Sequence, residues 1–265
     1  MNLCVCGGTG KPIGVSSKFL CRIFCYWERI EFEKDYENVL KATEKFGVEY
    51  PVVLDNDFKT WRAYRNRYWP RKFLIDIDGF IVYDHIGEGA YKETETKIQE
   101  LLEERNSVLG MKEVIDNSIV NPKNAETVSR KIGTPEIYFG YGFSRNQLGN
   151  KEGWVKDSFV DYMLPSEFIR NFFYLEGRWY NHYDGMILND NFGKVILKYS
   201  AKDVNIVAGS NETVNLKVYV DDEFHKDVQV KNHDLYNVVS MDDYGEHTLR
   251  IEAKNGFEIF TFTFG

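Results

Sequence analysis

Residues 61–86 read WRAYRNRYWPRKFLIDIDGFIVYDHI, and the fold of the first half of the chain turns on this stretch. Trp61, Tyr64 and Tyr68 fall at helical spacing beside Arg62, Arg65 and Arg67, so a helix is expected over Phe58 to Arg67. Lys72 to Ile77 and Phe80 to Ile86 are strand-length apolar runs joined by Asp78-Gly79, a strong hairpin signal. Upstream, Tyr50-Pro51-Val52-Val53-Leu54 reads as a buried strand that leaves through Asp55-Asn56-Asp57. Before it, Tyr36, Val39, Leu40, Thr43 and Phe46 recur at helical spacing from Glu33 onward, and Gly47 is a natural stop. Downstream, Tyr91 to Arg105 is an amphipathic helix with Ile98, Leu101 and Leu102 inward. The expected order over 33–105 is helix, strand, helix, strand, strand, helix.

A two-strand hairpin is marginal in water and its open edge invites pairing, so further strands must cover it. Residues 1–18 are Gly-rich with no sustained period and are expected to be irregular. Phe19 to Ile30 fits either period: Leu20, Phe24, Trp27 and Ile30 suit a helix face, while Phe19, Cys21, Ile23 and Cys25 suit one face of a strand. Phe19 to Tyr26 or a partner chain could supply the missing strand. The texture of residues 1–32 matches nothing downstream, and a shifted start is the expected origin of this segment.

All four cysteines (Cys4, Cys6, Cys21, Cys25) precede residue 26, and no Cys-x-x-Cys occurs. Cys4 and Cys6 could close only a small strained ring, and in a strand Cys21 and Cys25 would stand about 13 Å apart, beyond bridging distance. No histidine precedes His85 to complete a local metal set, so unremarkable thiols are expected, with no metal site and no cofactor.

Residues 106–133 are polar and interrupted by Asn121-Pro122-Lys123-Asn124, which places a linker there. Beyond Thr134 the texture changes. Lys194 to Tyr199, Val214 to Val220, Thr248 to Ala253 and Phe257 to Phe264 are strand-length and rich in Val, Ile, Tyr and Phe. Asn255-Gly256 reads as a type I′ hairpin turn between the last two. Residues 134–265 are therefore expected to form an all-β antiparallel sandwich, jelly-roll-like.

The whole chain has 265 residues, enough for two cores, and a net charge of -8 that argues against a nucleic-acid partner. No apolar run reaches the length of about 18 residues needed for a bilayer span, and Met1 to Gly14 lacks the pattern of a secretion signal, so no membrane segment is expected.

Glu31 to Asp35, Tyr50 to Asp55, the Trp61-x-x-Tyr64-Arg65-Asn66-Arg67-Tyr68-Trp69-Pro70 run, Phe73 to Asp76 and Gly87-Glu88-Gly89 together resemble the TlpA-type thioredoxin domain of the DipZ family. Thr134 to Gly140, Gly177-Arg178-Trp179, Ala201 to Val204 and Phe262 to Gly265 resemble the carbohydrate-binding-module-like sandwich fused to it. The resemblance implies an α/β partial thioredoxin-like domain over 33–105 followed by the sandwich over 134–265. It implies a thiol-disulfide oxidoreductase working outside the cytoplasm on protein thiols or disulfides. In that family a Cys-x-x-Cys opens the first helix, where the helix terminus stabilises a thiolate that attacks the substrate disulfide. Cys4-x-Cys6 has the wrong spacing and no helix pattern after it, so no catalytic residue is assigned and the chain as written is expected to be redox-inactive. One position does carry over: Trp69-Pro70 stands where the family has its cis-proline, which faces the dithiol and pairs with extended substrate. Trp69 and Pro70 are thus the expected substrate-binding residues, with a cis bond between them. On the residues alone, Pro70 could equally begin a strand in trans.

Three other groups have simpler structural readings. Arg62, Arg65, Arg67 and Arg71 could hold an anion but read as a solvated helix face. Asp221-Asp222-Glu223 and Asp242-Asp243 resemble calcium-friendly pairs but sit where turns are expected. Trp154, Trp179, Tyr180 and Tyr183 could stack on sugar, although aromatics in a sandwich are more often core. The alternative function is a non-catalytic binding or scaffolding protein whose sandwich recognises carbohydrate or protein. No Ser/His/Asp set, phosphate-binding Gly loop or His-x-x-x-His spacing is present.

Overall fold

The structure is a computed structural model that describes residues 3–5, 21–25, 34–48, 50–87, 89–119 and 132–265. The chain divides into two compact units, residues 1–126 and 127–265.

The first unit runs β1 (Leu3–Val5), β2 (Cys21–Cys25), α1 (Tyr36–Lys45), β3 (Val52–Leu54), α2 (Lys59–Ala63), β4 (Arg71–Ile75), β5 (Ile81–Ile86) and α3 (Tyr91–Leu109). Two of these strands come from the segment expected to be unmatched. Leu3–Val5, expected to be irregular, pairs antiparallel with β3, and Cys21–Cys25 takes the strand alternative and pairs antiparallel with β4. β4 therefore has a neighbour on each side, β2 and β5, and its backbone groups are spent in the ladder.

Each helix ends in the same way. The backbone turns left-handed at Gly47, Arg65 and Gly110, and the following N–H closes on the carbonyl five residues back: Val48 on Thr43, Asn66 on Trp61, Met111 on Asn106. Arg65 explains why α2 stops at Ala63 instead of reaching the expected Arg67. In contrast, α3 continues to Leu109, past the expected linker boundary, because Gly110 is the first residue able to turn it. Ile98, Leu101 and Leu102 of α3 are buried with Leu74 of β4. The α1 stripe is less enclosed than its periodicity implies: Val39 is buried, while Tyr36 and Phe46 are 64% and 70% exposed. The Asn121 to Asn124 breaker lies outside the described residues.

The second unit is all antiparallel β: β6 (Ile137–Tyr138), β7 (Ser158–Tyr162), β8 (Phe173–Asn181), β9 (Met186–Leu188), β10 (Gly193–Gly209), β11 (Val214–Val220), β12 (Glu223–Val230), β13 (Asp234–Ala253) and β14 (Glu258–Phe264). Its strands form one hydrogen-bonded network with barrel-like closure. β8 pairs with β10, β10 with β14, β14 with β9, and β9 with β8 again. β10 manages this by changing partner along its length, with register shifts near Ala201 and Val204. Inside lie Trp179, Phe139, Phe173, Phe257 and Phe262, all fully buried.

One expected connection is overturned. Thr248–Ala253 and Phe257–Phe264 do not form a hairpin, because β10 lies between β13 and β14. Gly256 alone has positive φ (84°), so the Asn255-Gly256 turn is not type I′; it crosses over, and its Gly256 N–H bonds the carbonyl of Leu188.

Two tyrosines of this unit are buried hydroxyls. The Tyr162 hydroxyl lies 2.7 Å from Asn181 Oδ1 and 2.8 Å from the Gly153 carbonyl. Burial pushes Tyr162 up to about 12 from 10.0, against the Asn181 hydrogen bond, and burial with the Asp221 and Asp203 charges pushes Tyr199 in the same direction. Above the unfolded value the denatured chain has lost a proton that the folded chain still holds, so stability drains away with rising pH. Between pH 10.0 and about 12 the unfolding free energy of the second unit should fall, and Tyr162→Phe should flatten part of that fall. At neutral pH the same variant should cost about 1 kcal/mol for the lost hydrogen bond. Urea unfolding at stepped pH measures both.

Candidate functional site

The site expected from sequence is the loop between α2 and β4. Its beginning is set by Asp55, a buried carboxylate after β3: Oδ1 accepts from the Thr60 N–H at 2.9 Å and Oδ2 from the Trp61 N–H at 2.8 Å. These are free donors of the first turn of α2, and a carboxylate there also opposes the helix dipole. Phe58, at φ 57°, carries the chain from Asp55 into the helix. Trp61 of α2 and Tyr64, which follows it, then pack on Phe73 of β4, the Tyr64 ring 5.3 Å from that of Phe73.

At the other end of α2, Arg65 at φ 50° turns the backbone. A left-handed non-glycine residue costs about 1–2 kcal/mol. Asn66 comes next, 4% exposed; its Oδ1 accepts from the Tyr68 N–H at 3.2 Å, while its Nδ2 is buried with no hydrogen-bond partner. The loop then emerges. Tyr68 and Trp69 are 54% and 45% exposed, the Trp69–Pro70 peptide bond is cis, and the Pro70 carbonyl accepts from Gly87 N at 2.8 Å. Trp69 and Pro70 thus sit on a surface loop held at both ends, by Asn66 and by Gly87.

The arginines expected to share a face are divided among different tasks. Arg62 donates to the Asp57 carbonyl, and Arg71 pairs with Asp84 and lies 4.6 Å over the Phe73 ring, leaving Arg65 and Arg67 exposed. Sequence reasoning missed Lys72, which is buried and donates to the Gly89 carbonyl at 2.6 Å with its ammonium 4.6 Å over Tyr91. A lysine inside an apolar strand run was the available signal, since buried lysines need a partner.

The remaining candidates resolve by position. Cys4, Cys21 and Cys25 lie in strands β1 and β2, whose side chains are outside the described residues, as is all of Cys6. Asp221 and Asp222 both have positive φ (51° and 66°), the signature of a tight hairpin turn, and Asp221 is engaged by His247 and the Thr248 N–H. Asp242 and Asp243 occupy a register slip of β13, between Ser240 and Gly245. Among the described residues no cluster of three His, Cys, Asp or Glu side chains could hold a metal ion. Trp179 is fully buried, and Trp154 is half-buried against the core with its Nε1 donating to the Phe139 carbonyl at 2.8 Å; Tyr183 is 52% exposed.

Residues 134–265 match the family described as the thioredoxin-like C-terminal domain. The chain is 35% identical over 235 residues to Protein DipZ of Mycobacterium bovis and, equally, to that of Mycobacterium tuberculosis, covering 88% of this chain and 32% of each relative. It thus spans about a third of the length of these curated relatives. Among solved structures, an active-site mutant of a family two carbohydrate esterase from Clostridium thermocellum, in complex with a cello-oligosaccharide, is 17% identical with a TM-score of 0.33, covering 35% of this chain and 31% of that one.

Asp55→Ala removes the acceptors of two helix donors and should destabilise the first unit by about 1–2 kcal/mol. Asp55→Asn keeps one acceptor and should lose less. Chemical denaturation followed by tryptophan fluorescence gives both values.

Proposed function

We propose, from the premise that residues 134–265 are a thioredoxin-like C-terminal domain in a chain related to DipZ, that this polypeptide belongs to the thiol-disulfide oxidoreductases and supplies their substrate-docking side. Trp69 and Pro70 are the docking residues. An extended segment of a protein thiol or disulfide substrate lies along the loop, pairing with backbone groups and covering the Trp69 ring. The chain carries no Cys-x-x-Cys, so this stretch of polypeptide does not itself exchange disulfides.

The observation that carries this reading is the way the loop is built. Apolar residues are put out to solvent at Tyr68 and Trp69, while the backbone beneath is fixed by Asn66 and by the Gly87 bond to Pro70. Left-handed Phe58 and Arg65 bracket the helix that leads into it. An aromatic residue put out to solvent on a backbone fixed at both ends suits a ligand that covers the ring. A rigid docking loop also avoids the ordering cost that a flexible one incurs on binding.

The test uses the full chain in two measurements. With dithiothreitol as reductant, insulin reduction should proceed at the rate without protein; turnover above background that is lost on Cys4→Ser or Cys6→Ser would overturn the claim that no exchange occurs here. An unfolded, cysteine-alkylated protein used as a probe in fluorescence anisotropy should bind, and Trp69→Ala should weaken it about tenfold, as expected for an aromatic anchor. Binding unchanged by Trp69→Ala would remove the loop from the reading.

A further inference from the structure

Arg62, Arg65, Arg67 and Arg71, expected as one solvated helix face, part company in the structure. Residues 58–72 hold six Lys and Arg and no Asp or Glu, in a chain whose net charge is -8. Most of these cations are engaged close by. Lys59 pairs with Asp57 at 2.9 Å, Arg62 donates to the Asp57 carbonyl, Arg71 pairs with Asp84, and Lys72 is buried on the Gly89 carbonyl. Arg65 and Arg67 are exposed, and among the described residues neither side chain makes an ion pair or a hydrogen bond. The flanking carboxylates are already used: Asp55 accepts from the Thr60 and Trp61 N–H groups, Asp57 holds Lys59 and Asp84 holds Arg71.

The two unpaired arginines lead directly into the docking loop. Arg65, Arg67 and Trp69 are alternate residues, Asn66 between the arginines is buried, and Tyr68 and Trp69 are exposed. The backbone between them is pinned, because Asn66 Oδ1 accepts from the Tyr68 N–H. At the ends of α1 and α3 the left-handed position is filled by Gly47 and Gly110, while at the end of α2 it is filled by Arg65 at φ 50°. Glycine would hold that turn more cheaply, and the arginine that holds it instead places a cation at the entry to the loop. A chain gains at most about 3.5 Å per residue, so a segment laid on Trp69 needs at most about four further residues to reach Arg65 and about two to reach Arg67.

We infer that the loop selects acidic substrate: extended protein segments that carry Asp or Glu within about four residues of the part covering Trp69. This rests on the docking reading and adds to it the charge of the substrate. A guanidinium stays charged at any pH the protein meets and binds a carboxylate through two parallel N–H donors, a geometry that an amide side chain does not match. An exposed pair of this kind is worth only a few-fold in affinity, so two of them bias the choice of segment without fixing a single sequence. Salt screens the bias, whereas the apolar cover over Trp69 does not depend on it. A phosphate backbone, in contrast, is held by a run of cations that tracks it through a positive groove, and two unpaired guanidiniums on a chain of net charge -8 do not make one.

The test measures the full chain by fluorescence anisotropy against labelled, reduced and cysteine-alkylated α-lactalbumin in two forms, one with its carboxylates intact and one with them converted to neutral amides. The quantity read is the ratio of the two affinities. At about 0.1 M salt the double variant Arg65→Gln with Arg67→Gln should lower the preference for the carboxylate form about threefold to tenfold, and the effect should shrink at about 1 M. Arg65→Lys with Arg67→Lys should keep most of the preference. Lys217→Gln with Lys231→Gln, an equal change of net charge at exposed positions of the second unit, should leave the ratio as it is. A ratio indifferent to the Gln double variant, or lowered as much by the Lys217 and Lys231 changes, overturns the charge selection; if Trp69→Ala still weakens both forms, the docking reading survives that result. Failure of either form to bind takes both down. Displacement of the probe by oligothymidylate from the unaltered chain but not from the Gln double variant would assign the arginines to nucleic acid and overturn the ligand class.

Discussion

The second unit depends on how the seventeen backbone N–H and C=O groups of β10 are satisfied. A strand this long and largely buried must pair nearly all of these groups within the protein, with neighbouring strands or with the loops that abut it. β13 provides one side along almost all of β10, while the other side is shared by β8, then by Asn171, Gly133, Thr134 and Gly265, and then by β14. The change of partner bends β10 at Ala201–Asp203, and the bend brings β14 and β9 round to meet β8. Closure then encloses Phe139, Phe173 and Phe262 in one aromatic cluster, with ring separations of 4.1 and 5.3 Å about Phe139. Without that exchange of partners, β9 would keep β8 but lose β14 as its second neighbour, and the sheet would not close.

Much of this is legible in sequence where the information is local. The alternation over 248–253 and the apolar run over 257–264 identify strands because side chains of successive residues point to opposite faces. The pairing is not local, and there the reading fails. Asn255-Gly256 specifies a turn but not which strand will lie beside it, and β10, about fifty residues upstream, inserts between the two strands it joins. The same limit separates Trp179 from Tyr183. Both are aromatic and four residues apart, yet one is sealed in the core and the other is carried on a loop.

In the first unit the legible part is the helix and strand order around the Trp61–Ile86 stretch, and the illegible part is where each piece stops. Helical spacing through Tyr68 suggests a longer α2, because an arginine gives no sign that it will adopt φ 50°. The reason for the early stop lies in the path to β4: Tyr64 must reach the Phe73 ring while Pro70 enters that strand, and a helix continued to Arg67 would carry the chain past its start. The strands Leu3–Val5 and Cys21–Cys25 are not readable from their period, since three to five residues satisfy either pattern.

The packing beneath the 64–70 loop bears on the role proposed for it. Phe73, Trp61, Tyr64 and Ile75 form a small cluster of their own, and Leu74 belongs to another with Ile98, Leu101 and Leu102 on the opposite face of β4. Among the described residues the loop is attached through these rings and through hydrogen bonds made to Asp55 and Asn66 and by the Gly87 N–H. Local stability of this kind is set by the weakest of those attachments, and segments that open locally do so where buried apolar contact is sparse. The buried Asn66 Nδ2 makes no hydrogen bond among the described residues, so the root of the loop is held through Asn66 Oδ1 alone. An extended backbone laid along such a loop would add hydrogen bonds and apolar cover to a segment held at two points, which is the way substrate binding would stiffen it under the proposed reading.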